Sequence, residues 1–285
     1  MRIFLIISFI FSVLSATDWI NTGSSIPSDP EWIINSPSDN VIELSFQLNG
    51  YFIKKDSVGN TQISFPGGVP ILQSGAPDLP RMARSIIIPN LAHMELSIVE
   101  TKFFEIEVQN ILPSKGNLTR DINPESVPYS FGKPYELDAW YPENISFLRD
   151  PYILRTLRGQ AVVFQPFQYN PKKKILRVYT HIKINVQENG ESQINPLTKR
   201  PSGFESREFE YMYQDHFINY PNNLRYDVLT EHGPMLIISH GTFMDEMQPF
   251  VDWKNYKGIP TDIIDIASIG DVDDMAQFIS DKYYE

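Results

Sequence analysis

The sequence lacks cysteine altogether, although it has 285 residues. This absence excludes a disulfide framework, a cysteine-ligated zinc site and a thiolate nucleophile within the chain. The fold must therefore be stabilised by its core. The composition allows this, because 42% of the residues are hydrophobic and 13% are aromatic, as in folded globular proteins.

Positive charge is also scarce. The chain has 24 lysines and arginines against 35 aspartates and glutamates, which gives a formal net charge of −11. Because nucleic-acid binding depends on basic patches, we expect no nucleic-acid partner. The one compact basic run, 172–174, follows Pro171 and indicates a charged turn between two strands.

Metal ligands are few. No two of the five histidines have the close helical spacing of a zinc site; they are His93, His181, His216, His232 and His240. Asp271, Asp273 and Asp274 could offer oxygen ligands to calcium, but their segment lacks the glycine and the terminal glutamate of the calcium-loop motif. Acidic residues at a helix start also cap backbone N–H groups, and this interpretation is favoured. No cofactor is expected.

The N-terminus has the order of a cleaved secretory signal. Arg2 precedes an apolar run over 3–14, and the small residues Ser15 and Ala16 follow it. The run is shorter than the ~20 residues of a membrane-spanning helix, so a signal peptide is predicted over 1–16. The alternative is a buried N-terminal helix. We expect a secreted protein, extracellular or at the cell surface, without a membrane span.

Residues 17–190 show the period of β-strands. The segment "VIELSFQL" alternates apolar with polar residues, the apolar ones being Ile42, Leu44, Phe46 and Leu48. The run 93–108 repeats the alternation and places Ile98 on its apolar side. "NPKKK", between the ladder "ILRVYTHIKINVQ" and the strand before it, predicts a hairpin. We expect an antiparallel, jelly-roll-like β-sandwich domain.

The next segment, 191–225, changes character. Its first part, "ESQINPLTKRPSGFES", contains Gly, Pro and Ser and predicts a linker. A helix follows, because apolar residues recur at helical spacing; they are Phe209, Met212, Tyr213, His216, Phe217 and Tyr220. Pro221 is expected to end this helix.

Residues 226–285 predict the start of an α/β domain. Met235–Ser239 is expected to be a buried strand, Gln248–Tyr256 a helix and "TDIIDIA" a second strand, with a second helix after Asp271. This order is the opening of a parallel sheet. Two strands and two helices cannot cover both faces of such a sheet, so we expect the domain to be incomplete and the chain to be a fragment.

Several segments together resemble a known family. "FVDWKNYKGIPTDI" (250–263), followed by "MAQFISDKYYE", resembles the start of the catalytic domain of gingipain-type cysteine peptidases. Upstream, "GAPDLP" (75–80) and "SIIIP" (85–89) are similar to the G-x-P-x-L-P pattern and the following strand of the family's propeptide. The resemblance covers residues 41–285.

This resemblance implies a zymogen. A β-rich propeptide would precede a caspase-like α/β peptidase, inhibit it and assist its folding. The full-length parent would hydrolyse peptide bonds by thiolate attack, with a histidine as general base, after secretion and proteolytic activation. The implied partners are the chain's own or a related peptidase catalytic domain, the activating protease and the protein substrates of the parent.

The resemblance also implies a processing site. In the family's best-studied members the mature chain begins after an arginine, and Arg225 followed by Tyr226 stands at the matching position. Arg225 would occupy the primary specificity pocket until the bond is cut. An uninvolved arginine in an exposed connection is the simpler alternative. The dibasic pair Lys199 and Arg200 in the linker is the rival site.

No catalytic residue is expected in this chain, which alone should be inactive. His240 precedes a glycine at the end of the first α/β strand, whereas the family's catalytic His-Gly pair follows a later strand and its cysteine lies further downstream. A serine–histidine alternative would need an orienting third residue and lacks a recognisable nucleophile. His240 is therefore expected to be a loop residue at the carboxyl edge of the sheet, where a peripheral ligand contact is conceivable.

Other functions stay open from the sequence. A free-standing propeptide-like protein could act in trans as a peptidase inhibitor or chaperone. A sortase-like peptidase of the type IX secretion route would share the catalytic fold. A carbohydrate-binding adhesin is suggested by "PYELDAWYPENISF", in which Tyr135, Trp140 and Tyr141 could stack on sugars, although burial at a sheet edge explains these rings equally well.

Overall fold

The computed structural model describes residues 17–38, 41–56, 59–199, 207–221 and 234–284. The predicted signal peptide lies outside these ranges. The packing divides the chain into two compact units. Unit 1 comprises Met1–Ala83, Met94–Arg149 and Ala161–Asn189, and unit 2 comprises Arg84–His93, Asp150–Gln160 and Gly190–Glu285. The domain boundaries expected from the sequence remain predictions.

Strands dominate the described residues up to 191. In chain order they are β1 (Thr17–Asn21), β2 (Glu31–Ser38), β3 (Val41–Gln47), β4 (Gly50–Lys55), β5 (Asn60–Ser64), β6 (Val69–Pro70), β7 (Pro80–Ile87), β8 (Ala92–Glu107), β9 (Asn110–Ile111), β10 (Ser146–Leu148), β11 (Tyr152–Leu154), β12 (Leu157–Phe164), β13 (Phe167–Asn170) and β14 (Ile175–Glu191). Short 3-10 helices at Pro124–Ser126 and Lys133–Glu136 lie between β9 and β10.

These strands form three sheets. The first has the order β1-β4-β5-β9, and the second has the order β10-β12-β7-β6 with β11 also paired to β12. The third has the order β13-β14-β3-β2 with β8 also paired to β14. Several neighbours in a sheet are distant in the sequence, such as β14 with β3 and β9 with β5, so the chain crosses repeatedly between the sheets.

The alternation of "VIELSFQL" is confirmed in the third sheet. β3 and β14 are antiparallel, with Phe46 opposite Ile182 and Leu44 opposite Ile184, and all four side chains are fully buried. Phe46 also stacks on Phe164, with 5.3 Å between the ring centroids. This layer forms the centre of the core of unit 1. Burial of one such side chain contributes roughly 1.5–3 kcal/mol.

The predicted hairpin at "NPKKK" is also present. β13 and β14 pair antiparallel, ending with Asn170 opposite Ile175. Asn170 Oδ1 accepts the backbone N–H groups of Lys172 and Lys173 at 3.1 and 3.0 Å, and Lys174 has a φ of 56°. The basic run is therefore a charged turn, as predicted, and its backbone is stabilised by the asparagine that precedes it.

Tyr51 makes the core of unit 1 sensitive to alkaline pH. It is 1% exposed and packs edge-on against Phe167, and burial raises the pKa of Tyr51 from 10.0 to about 12. Since the folded state holds the phenolic proton more tightly than the unfolded chain, this stabilisation is complete below the unfolded pKa and is lost as the pH rises through the folded pKa. Between about pH 9 and pH 11 the unmodified chain should lose about 1 kcal/mol of its free energy of unfolding through Tyr51, and Tyr51→Phe should not show this loss. Urea unfolding at the two pH values measures the difference.

The matched control for this prediction is Tyr256→Phe, because Tyr256 is 88% exposed. This control should show the same alkaline loss as the unmodified chain. An unchanged alkaline loss in Tyr51→Phe would contradict the prediction.

The second unit contains the predicted strand–helix–strand–helix order. Its elements after β14 are α1 (Arg207–His216), β15 (Met235–Ser239), α2 (Met244–Tyr256), β16 (Thr261–Asp265) and α3 (Val272–Tyr284), with 3-10 helices at Gly241–Phe243 and Ile266–Ser268. β15 and β16 pair in parallel, in a register that places Ser239 opposite Asp265. Gly258, just after α2, has a φ of 80° that a residue with a Cβ would strain to adopt. In the described part of the chain, no helix is both long and apolar enough to cross a bilayer.

The helix α1 is shorter than the sequence predicted. It ends at His216 because Phe217 leaves the helical path to form a parallel bridge with Ser85. Tyr213 and Phe217 are buried, as predicted. His216, predicted to be packed, is exposed instead, and its Nε2 lies 2.6 Å from Tyr152 Oη, within hydrogen-bond distance.

The first residues of the predicted linker are docked within unit 2. Arg158 is fully buried. Its Nη1 donates to the carbonyl oxygens of Pro89 and Ala92 at 2.9 and 2.7 Å. Its Nε and Nη2 donate to those of Asn195 and Ile194 at 2.8 and 2.9 Å. One guanidinium group therefore joins three distant segments of the chain.

Candidate functional site

Most of the predicted processing residues lie outside the described residues. Arg225 and Tyr226, and Arg200 of the rival site, lie outside the described residues. Lys199 is described and exposed. Two residues earlier, Leu197 is only 5% exposed, so the rival site directly follows an anchored segment.

The chain is also anchored just before 222–233, which we call the processing segment because it contains the predicted cleavage site. Asn219 makes a side-chain bridge to Ile87: its Nδ2 donates to the Ile87 carbonyl at 3.0 Å, and its Oδ1 accepts the Ile87 N–H at 2.7 Å. The Ile218 N–H donates to the Ser85 carbonyl at 3.0 Å. These bonds hold the residues just after α1 against β7, so α1 should stay docked in the N-terminal product after cleavage in the processing segment.

The "GAPDLP" motif closes the base of a long loop. The Gly75 N–H donates to Ser114 O at 3.0 Å, the Ser114 N–H donates to Ala76 O at 2.7 Å, and the Gly132 N–H donates to Gly75 O at 2.8 Å. Gly75 has a φ of 78°, and a Cβ on Gly132 would lie 2.9 Å from Gly75 O. Glycine is therefore required at both positions. The motif thus holds together the two ends of the largely exposed loop 115–131, and loops of this length commonly carry function.

The carboxyl ends of the two parallel strands are used for capping. His240 is exposed, and its Nδ1 accepts the Thr242 N–H at 3.2 Å. Asp265 Oδ1 accepts the Ala267 N–H at 3.0 Å. The prediction that His240 is a loop residue at this edge is confirmed.

The acidic segment before α3 forms a reciprocal cap. Asp271 Oδ1 accepts the N–H groups of Asp273 and Asp274 at 2.9 and 3.1 Å, and Asp274 Oδ2 accepts the Asp271 N–H at 3.1 Å. The capping interpretation of these residues is therefore confirmed. In the ranges that the structure describes, no group of three or more His, Cys, Asp or Glu residues is placed to hold a metal ion. A calcium site at these aspartates remains a prediction.

The rings of "PYELDAWYPENISF" are largely used within unit 1. Tyr135 Oη donates to a backbone carbonyl at 2.5 Å, and Tyr141 Oη donates to Gln73 Oε1 at 3.2 Å. Burial raises the pKa of both tyrosines, that of Tyr141 to about 12. The Arg177 guanidinium covers one face of Trp140 at 4.0 Å from the ring centroid. These contacts favour burial at a sheet edge over a free platform for sugars.

Trp140 and Tyr141 also border a cleft of unit 1. This aromatic cleft has a volume of about 830 Å³ and opens to solvent. Its wall includes residues from β8, from the 134–145 segment and from the β13–β14 hairpin, among them Ile98, Leu137, Trp140, Ile145, Arg177 and Tyr179.

Sequence reasoning missed two structural residues, Arg158, which binds residues 194–195, and Asn219, which binds Ile87. Arg158 is the one charged residue of the strand "LRGQAVVF" (157–164), which is the one signal that could have drawn attention to it. Asn219 carried no signal at all, because its partner is the backbone of Ile87, 132 residues away.

Comparison with known sequences identifies relatives of the chain. A family model described as Propeptide_C25 matches residues 29–222. Gingipain R2 of Porphyromonas gingivalis is 38% identical over 234 residues, which cover 80% of this chain and 31% of that protein. Lys-gingipain of the same organism is 25% identical over 263 residues, which cover 85% of this chain and 15% of that protein. The chain thus spans about a third or less of the length of these curated relatives.

Comparison with solved structures agrees. A chain in the complex of Porphyromonas gingivalis RgpB pro- and mature domains matches with a TM-score of 0.60 and 35% identity, over 67% of this chain and 98% of that chain. A structure on the zymogenic latency of gingipain K from the same organism matches with a TM-score of 0.52 and 19% identity, over 61% of this chain and all of that chain. The second match supports the fold alone. The sheet-rich architecture therefore resembles that of gingipain propeptides.

Proposed function

Because the chain belongs to the Propeptide_C25 family, as the match over residues 29–222 shows, we propose that it serves a gingipain-type zymogen in the following way. Its β-rich part binds the mature cysteine peptidase, inhibits it until activation and assists its folding. The full-length parent hydrolyses peptide bonds, and the residues present in this chain supply no catalytic group.

One observation carries this proposal. The match to the RgpB complex of pro- and mature domains covers 98% of the matched chain at 35% identity, so nearly every element of that chain has a counterpart here. Retention of sheets, connections and loops at this level supports retention of the surface by which a propeptide contacts its peptidase.

We extend the proposal to the domain organisation. The sheets of 17–190 form a jelly-roll-like β-sandwich, 191–225 supply a linker and α1, and 226–285 open a caspase-like α/β domain. The parallel pair β15–β16 with α2 between the strands supports the last assignment. A signal peptide over 1–16 directs the precursor out of the cytoplasm, to the extracellular space or the cell surface.

Inhibition in trans is the direct test of this function. The chain is added to mature Gingipain R2, and the hydrolysis of a chromogenic peptide is followed at increasing concentrations of the chain. We expect inhibition with an apparent Kd of micromolar or tighter, which corresponds to about 8 kcal/mol of binding free energy. The chain alone should not hydrolyse the peptide.

The control for this assay is the same chain after thermal unfolding, which should lose its inhibition if the folded surface is responsible. Full peptidase activity in the presence of a large excess of folded chain would overturn the proposed function. Slow consumption of the chain, followed by recovery of activity, would identify it as a substrate rather than an inhibitor.

A further inference from the structure

The strand β8 exposes apolar side chains that its sequence pattern assigns to the core. Alternation placed Ile98 on the buried side, yet Ile98 is 48% exposed and Phe103 is also 48% exposed. β8 pairs with β14 and lies outside the main order of its sheet. Contiguous apolar side chains exposed on a strand are a feature of association surfaces.

The aromatic cleft beside β8 offers apolar surface without unsatisfied polar groups. Tyr179 Oη donates to Gln168 Oε1 at 2.8 Å, and Gln168 Nε2 donates to the carbonyl oxygens of Pro142 and Glu143 at 2.8 and 3.2 Å. The polar atoms on the cleft floor are thus paired with one another. A site of this kind receives an apolar group and gives a sugar or a phosphate little to bind.

One wall of the cleft is organised by contacts within unit 1. The Arg177 guanidinium lies between two rings, 4.5 Å from the Phe103 centroid and 4.0 Å from that of Trp140. Its Nε and Nη2 both donate to Glu105 Oε1, at 3.0 and 2.7 Å. A preorganised wall lowers the entropy cost of binding.

The rim of the cleft carries one carboxylate without an ion pair. Glu143 lines the cleft and is exposed, and within the described ranges no ion pair joins its carboxylate. Asp138, by contrast, is paired with Lys173 at 3.5 Å. An occupant should therefore carry positive charge beside its apolar anchor, because complementary charge favours association.

We infer that the aromatic cleft is a docking site for an apolar side chain, flanked by a basic residue, on the surface of the mature peptidase domain. This inference rests on the proposed function and adds the surface that performs it. About two thirds of Gingipain R2 lies outside the part matched by this chain, so the peptidase is the large partner that such a precursor provides. The cleft is a site of attachment, separate from any segment that enters the peptidase active site.

The test compares two exposed isoleucines on strands of unit 1. Ile98→Asp places a charge at the cleft, whereas Ile33→Asp changes a 64% exposed isoleucine of β2 outside it. We expect Ile98→Asp to weaken inhibition of mature Gingipain R2 at least about tenfold, as for a central anchor of an interface. Ile33→Asp should leave inhibition unchanged. Leu137→Asp, at a 45% exposed position in a different segment of the cleft wall, should repeat the loss and guards against a folding defect in one variant.

A second measurement concerns the rim. The substitution Glu143→Gln should weaken binding about twofold at low salt and flatten its salt dependence, since exposed charges steer association and are screened by salt. Inhibition by Ile98→Asp and Leu137→Asp equal to that of the unmodified chain would overturn the inference while leaving the proposed function standing. If the unmodified chain itself fails to inhibit, both fail. Glycan binding, or a dimer of the chain that Ile98→Asp abolishes, would also overturn it.

Discussion

Replacement of Arg158 by methionine is expected to lower the free energy of unfolding by about 3–5 kcal/mol and the melting temperature by roughly 10 °C. Methionine keeps much of the volume but none of the donors. The carbonyl groups of Pro89, Ala92, Ile194 and Asn195 each accept a hydrogen bond from the guanidinium. A buried carbonyl without a partner costs about 1–3 kcal/mol.

The sign of this effect follows from a balance of two terms. Burial of the Arg158 charge is itself unfavourable, as the lowered pKa of its guanidinium indicates, so removal of the charge recovers part of the loss. The four carbonyl groups belong to two separate segments, 89–92 and 194–195, however, and all four lose their guanidinium donor in the variant. We therefore expect the loss of acceptor partners to dominate.

The controls isolate the guanidinium. Arg120→Met removes an arginine that is exposed in the loop 115–131 and should change stability by less than about 0.5 kcal/mol. Arg158→Lys retains the charge but reaches fewer of the four carbonyls. Its free energy of unfolding should therefore lie between that of the unmodified chain and that of Arg158→Met. Urea unfolding of the unmodified chain and the three variants measures the differences. A stable Arg158→Met variant would show that the docked residues 190–197 are held by their other contacts.

The core of unit 1 could be predicted because it depends on a local pattern. Alternation in β3 places Leu44 and Phe46 on one face, and the matching alternation in β14 supplies Ile182 and Ile184. Two apolar faces of equal length then pair in the register that buries both. The turn at Asn170 was visible for a similar reason, since its residues act on their own backbone.

Two structural residues could not be predicted from such local patterns. Arg158 and Asn219 bind backbone groups, and a carbonyl oxygen has no side-chain signature that would mark it as a partner. Alternation also identifies an apolar face without saying whether anything covers it. For this reason the sequence assigned Ile98 to the core, whereas the structure leaves it exposed beside the aromatic cleft. Gly132 was missed because its need for glycine arises from the approach of Gly75, 57 positions away.

The predicted cleavage site after Arg225 rests on family resemblance alone, so a direct test of it is informative. We expect Arg225→Gln to reduce cleavage between residues 225 and 226 by at least about a hundredfold when the chain is incubated with mature Gingipain R2. A pocket built to bind a charged guanidinium is left with unpaired buried groups when a neutral amide enters it. Intact-mass measurement and N-terminal sequencing would follow the fragment that begins at Tyr226.

The rival site provides the matched variant. Lys199→Gln with Arg200→Gln removes the dibasic pair and should leave the Tyr226 product unchanged, whereas a product beginning at Pro201 in the unmodified chain would contradict the assignment.

The structure also predicts what cleavage leaves behind. Since Asn219 and Ile218 bind the backbone of β7, the N-terminal product should retain α1 in a folded, protease-resistant form. Loss of this protease resistance on cleavage would mean that these bonds depend on the intact processing segment.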